Sequence, residues 1–89
     1  MRAVLTVVGK DTFGILAKVS SLCAEHSINV LEVSQSVLQD LFTMIMLVDI
    51  SRLDLPFDQF VGIAQDAGEN WGLKIHVMHE DIFHSMHRI

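Results

Sequence analysis

Residues 27–50 read SINVLEVSQSVLQDLFTMIMLVDI, and the fold turns on how they are read. From Asn29 to Leu38 the side chains alternate and favour branched types, as half-buried strands do. Gln39 and Asp40 suit a short turn, and residues 41–50 return as a second strand, so the segment is a hairpin. Successive side chains of a strand point to opposite faces, which puts Phe42, Met44, Met46, Val48 and Ile50 on one face and Thr43, Ile45 and Leu47 on the other. Neither set is made for water. One face is core, and the other wants a cover.

On either side of this hairpin lies a helix followed or preceded by a strand. AVLTVV, residues 3–8, is branched or apolar at nearly every position and reads as a strand covered on much of both faces. VVGKDTFGIL, residues 7–16, then passes through a polar turn bracketed by Gly9 and Gly14. Ile15, Leu16, Val19, Leu22 and Cys23 form one helical face, which predicts a helix over 13–26 with Asp11 or Thr12 as its N-cap. Beyond the hairpin, Pro56 suits a helix's first turn, and Phe57, Phe60, Val61 and Ala64 recur at helical spacing up to about 70–72. LKIHVMH, residues 73–79, is a fourth strand, and EDIFHSMHRI, residues 80–89, can form a short C-terminal helix. This order predicts an α+β fold: a ferredoxin-like βαββαβ sandwich, with a four-stranded antiparallel sheet, two helices on one face and a short C-terminal helical tail.

The chain's 89 residues make one small domain, and 51% hydrophobic content is generous for such a body, which suggests apolar surface covered by a second copy or a partner. A net charge of −5, with six scattered Lys and Arg, argues against nucleic acid. A single cysteine leaves no internal disulfide and fits a reducing compartment, and no long apolar run marks a membrane span, so a cytoplasmic location is the expectation.

GKDTFGILAKVSSLCAEHSINV, residues 9–30, places an Asp before a turn, a Gly at the opening of a helix and Ile-Asn-Val at the start of the second strand. On this strand order the pattern resembles the ACT domain family, over residues 1 to about 80, with residues 81–89 as a tail packed on the domain. EVSQSVLQDLFTMIMLVDI and IFHSMHRI look like a narrower group, the stand-alone single-ACT bacterial and archaeal proteins.

The resemblance implies a regulatory domain that binds a small molecule, with an amino acid the expected ligand, at an interface between two copies and that modulates a partner enzyme or pathway. The implied ligand-binding residues are Gly9, Lys10, Asp11, Thr12, Phe13, Gly14, Ile15 and Asn29, with the 9–14 loop from one copy and Asn29 reaching the site from the other. Their chemistry fits an amino acid. Free N–H groups at the helix start, around residues 13–16, suit a carboxylate, and the Asp11 and Asn29 side chains accept from an ammonium. Gly14 opens the helix end to a ligand, and Gly9 permits a positive φ. The same residues also read as an N-cap, two turn glycines and a loop-closing Asn. Many ligand-binding relatives carry proline where this chain has Phe13, an aromatic that lids a pocket or fills it.

His76, His79, His84 and His87 crowd the last strand and the tail beside Glu80 and Asp81, and packing of the tail is favoured over a metal site because no zinc spacing accompanies them. Cys23 lies on an apolar stripe and reads as an inert core residue, with His26 set to meet the last helix carbonyls. No catalytic constellation stands out, so the expectation is no enzyme and no cofactor. Two readings stay open: a homodimeric small-molecule sensor, and a ligand-free interaction module that docks an enzyme by its exposed sheet or strand edge.

Overall fold

The computed structural model describes residues 1–10 and 13–86. Its elements run β1 (Arg2–Lys10), α1 (Ile15–Glu25), β2 (Asn29–Leu38), β3 (Leu41–Asp49), α2 (Phe57–Asn70), β4 (Leu73–His79) and α3 (Glu80–Met86). The strands form one sheet in the order β2-β3-β1-β4, and β1 pairs antiparallel with both β3 and β4. This is the expected ferredoxin-like sandwich with its short C-terminal helix.

The core lies between one face of the sheet and the two helices. Leu5 and Val7 of β1, Met44, Met46 and Val48 of β3, and Ile75 of β4 meet Val19 and Cys23 of α1 and Phe60 and Ala64 of α2. The alternation expected for β3 is present: Met44, Met46 and Val48 are buried, and Ile45 between them is exposed. Helix α2 comes close to β4 because Gly68 has no side chain; a Cβ there would stand 2.9 Å from Ile75 Cγ1 and 3.1 Å from the Leu73 carbonyl oxygen.

Several boundaries differ from the sequence reading. β1 continues through Gly9 and Lys10, since these residues pair with Phe42 and Leu41 of β3, and Gly9 also with Leu73 of β4. Gly9 is therefore not a turn residue with positive φ. It is a packing glycine: a Cβ at this position would collide with the Leu73 side chain. Helix α1 begins at Ile15, capped by Gly14 in the left-handed region (φ 73°, ψ 21°) with no side-chain hydrogen bond. Gly14 thus takes the N-cap place assigned to Asp11 or Thr12, which lie outside the described residues. Pro56 stands one residue before α2, with its carbonyl accepting from Gln59 N and Phe60 N.

At the end of α1 the Ile28 N–H donates to the Cys23 carbonyl (2.9 Å) and the Ser27 N–H to the Ala24 carbonyl (3.1 Å), with Ser27 at φ 60°. These bonds satisfy the last carbonyls and turn the chain into β2. His26 spends its side chain elsewhere than expected: Nδ1 lies 3.1 Å from Asp54 Oδ1, and its ring meets buried Phe60 edge-on at 5.7 Å.

Candidate functional site

The described residues among those expected to bind a ligand fall into two groups at opposite ends of the sheet, and Asp11 and Thr12 lie outside the described residues. Asn29 opens β2, where it opposes Asp49 of β3, which in turn opposes Arg2 at the start of β1. Gly9 lies seven residues further along β1, about 23 Å away at ~3.3 Å per residue. Gly9 and Asn29 of one chain are therefore too far apart to hold one small molecule.

At the loop end, Lys10 closes β1 with its Nζ 3.9 Å from Asp40 Oδ2, both side chains exposed. Phe13 is 96% exposed. Gly14 has open space around it, with no atom within 4 Å of the place a Cβ would take. The first intrahelical bond runs from Lys18 N to Gly14 O (3.0 Å), so the N–H groups of Ile15, Leu16 and Ala17 have no acceptor within the helix and carry its positive dipole end. Ile15 contributes only its backbone, since its side chain is 4% exposed and belongs to the core.

At the other end, exposed Asn29 lines an open groove of about 550 Å³ together with Ser27, Ile28, Asp49, Ser51 and Arg52. Asp49 Oδ1 accepts from the Ser51 hydroxyl (2.6 Å) and the Ser51 N–H (2.8 Å). The hydroxyl first, and then the N–H, hold the Asp49 carboxyl below its ordinary 3.8. The amino group of Met1 donates to Ser51 Oγ at 3.0 Å. None of Asp49, Ser51 and Arg52 was expected in a site. The signal available was Asp-Ile-Ser at 49–51, a pattern in which an Asp folds back on the N–H two residues on.

The remaining candidates are occupied in other ways. His79 stacks on Phe57 (4.1 Å between rings, 21° apart), His84 Nε2 lies 3.5 Å from Glu80 Oε2, His76 is exposed, and His87 lies outside the described residues. Glu80 is also paired with Arg2, 2.6 Å from its Nη2, and so ties α3 to β1. Cys23 is buried, and burial pushes its thiol from 9.0 up to about 11, which keeps it protonated and unreactive near neutral pH. Among the described residues no helix is long and apolar enough to cross a membrane.

The comparisons with known proteins agree with this architecture. The model of the ACT domain matches residues 2–77. A UPF0237 protein of Methanopyrus kandleri is 48% identical over 88 residues, covering 99% of this chain and 98% of its own. A UPF0237 protein of Listeria monocytogenes is 46% identical over 89 residues, covering 100% of both. Among solved structures, an ACT domain protein from Streptococcus pneumoniae superposes with a TM-score of 0.83 at 37% identity, over 93% of each chain. The regulatory subunit of aspartate kinase from Thermus thermophilus shares the fold, with a TM-score of 0.64 at 23% identity, over 85% of this chain and 49% of that one. ACT domains generally bind small molecules for regulation. A matched model over nearly the whole chain, full-length relatives and the β2-β3-β1-β4 sheet with its glycine-opened helix together place this chain in the ACT domain family.

Proposed function

We propose that the protein is a metabolite sensor that works as a homodimer, binding an amino acid between two copies and passing the state of that site to a partner enzyme or pathway. The observation that carries this reading is the separation of the two half-sites. A pocket that uses both the loop and Asn29 must take them from different chains, and the sheet offers the means. Every residue of edge strand β2 except Val30 is exposed, and the strand holds neither proline nor lysine to block pairing. Pairing β2 antiparallel with its copy about a two-fold axis near Ser34 sets the Asn29 end of one strand beside the Leu38 end of the other. That is the end at which Gly9 and Lys10 lie.

In this arrangement the ligand carboxylate meets the free N–H groups of the first turn of α1, and its ammonium meets the Asp11 and Asn29 side-chain oxygens. Loss of Asp11 removes a charge-assisted bond of about 1.5–3 kcal/mol, or roughly tenfold to hundredfold in affinity.

The test is subunit exchange. A thermal-shift screen of the amino acids first identifies a ligand, and Asp11→Ala and Asn29→Ala each weaken its binding. When the two folded variants are mixed, each mixed dimer has one site with both residues intact, and roughly a quarter of all sites regain full affinity if exchange is random. Recovery on mixing supports the shared site. If mixing restores nothing, the site lies within one chain; if no amino acid binds at millimolar concentration, the docking-module reading replaces this one.

A further inference from the structure

The groove beside Asn29 holds two charges that the contacts proposed above leave unused. Asn29 and Asp49 are directly opposed in the β2–β3 ladder, so their side chains lie on the same side of the sheet, with Cβ atoms about 4.5–5.5 Å apart. No hydrogen bond joins them, and the exposed Asn29 side chain has no partner among the described residues. Asp49 makes its contacts through one oxygen. Both Ser51 bonds end on Oδ1, as does the 4.0 Å approach of the Met1 ammonium, and Oδ2 is left to the groove.

Arg52 lines the same groove, exposed and without an ion pair among the described residues. After the two Ser51 bonds and the Met1 ammonium, its charge also holds the Asp49 carboxyl down, so the guanidinium and a charged carboxylate share this space at neutral pH. The other arginine at this end, Arg2, opposes Asp49 in the β1–β3 ladder but is paired with Glu80.

A positive and a negative group side by side sort side chains by charge. A ligand carboxylate drawn to Arg52 is repelled by Asp49, and a ligand ammonium drawn to Asp49 is repelled by Arg52. An apolar side chain covers both charges and returns no hydrogen bond. A neutral carboxamide satisfies both: its N–H donates to Asp49 Oδ2, and its carbonyl accepts from the Arg52 guanidinium, each a charge-assisted bond. Length selects further. With the ligand's ammonium held at Asn29 on the edge strand, Asp49 lies one strand further in, about 4.8 Å. Two methylenes and an amide span about 5 Å from Cα to the amide nitrogen at ~1.5 Å per zigzag bond, whereas one methylene reaches only about 4 Å.

We infer that the bound amino acid carries a carboxamide side chain of glutamine's length, recognised in the Asn29 groove by Asp49 Oδ2 and the Arg52 guanidinium. This rests on the shared site proposed above, which sets the ligand's ammonium at Asn29 and its carboxylate on helix α1 of the second copy.

Calorimetry with L-glutamine, its charged isostere L-glutamate and apolar L-norleucine tests the assignment, on variants shown by circular dichroism to be folded. The wild type binds glutamine about tenfold to hundredfold more tightly than either of the others, the effect of one charge-assisted bond. Arg52→Ala, at an exposed position, removes a similar factor for glutamine and leaves norleucine unchanged. Asp49→Asn takes away the repulsion and frees Arg52 to pair with a carboxylate, so glutamate then binds at least as tightly as glutamine. If the wild type binds glutamate or norleucine as tightly as glutamine, or if both variants keep the wild-type preference, the side-chain assignment is overturned, while subunit exchange with the ligand that does bind still decides the shared site. Glutamine binding that responds to Arg52 and Asp49 but not to Asp11→Ala supports the groove and removes the shared site. Absence of binding by any amino acid at millimolar concentration overturns both.

Discussion

Gly9→Ala separates a glycine kept for packing from one kept for turn conformation. Gly9 is in the β1 ladder between Phe42 and Leu73, and a methyl at its Cβ position runs into Leu73 Cδ2. Leu73 is 5% exposed and belongs to the core, so its methyl group has little room to retreat. Overpacking of this kind costs about 1–3 kcal/mol. Against it stands a gain of about 0.5–1 kcal/mol from the lower chain entropy of alanine. The net loss is about 1 kcal/mol, or roughly 4–8 °C in melting temperature for a domain of this size. The decisive measurement is a double-mutant cycle by urea unfolding. Leu73→Ala alone costs about 2–5 kcal/mol, because it leaves a cavity. In that background the clash is gone, and Gly9→Ala becomes neutral or slightly stabilising, a coupling of about 1–2 kcal/mol. Equal losses in both backgrounds would show that Leu73 is not what Gly9 makes room for.

Gly14→Ala meets no atom, yet it puts a Cβ on a residue with φ of 73°, and the left-handed strain of about 1–2 kcal/mol lowers the urea midpoint while Gly14→Asn costs less. The Cys23 thiol, raised to about 11, stays protonated in the folded chain, so modification by a disulfide reagent at pH 8 proceeds no faster than global unfolding; faster labelling would show the thiol to be accessible. The same raised value makes stability fall as pH climbs from about 9 to about 11, where the unfolded chain has lost the proton and the folded chain keeps it, and Cys23→Ala flattens that slope. For Asp49 the sign is opposite: its lowered value contributes stability above the ordinary carboxylate range that is lost as pH falls through the folded value, and Asp49→Asn removes this part of the acid transition.

Strand and helix order, the hairpin and its two faces were legible in residues 27–50, because alternation and turn chemistry are local and only one burial pattern suits Met44, Met46 and Val48 against exposed Ile45. Helix α1 was legible in its apolar stripe, but its start was not. A capping Asp or Thr and a left-handed Gly end a loop equally well, and only the backbone of Gly14, at φ 73°, marks it as the cap. The role of Gly9 was hidden for a related reason. Its neighbour Leu73 is distant in sequence, and only the β1–β4 ladder brings them together. The His26–Asp54 pair is likewise a product of distant segments meeting, whereas the Asp49–Ser51 turn is local and its signal was present in residues 49–51. Sequence alone determined the residue types a carboxylate and an ammonium require. Where the described ones stand was decided by the sheet: β1 and β2 each pair antiparallel with β3 and so run in the same direction, which places Gly9, near the end of β1, and Asn29, at the start of β2, at opposite ends of the sheet.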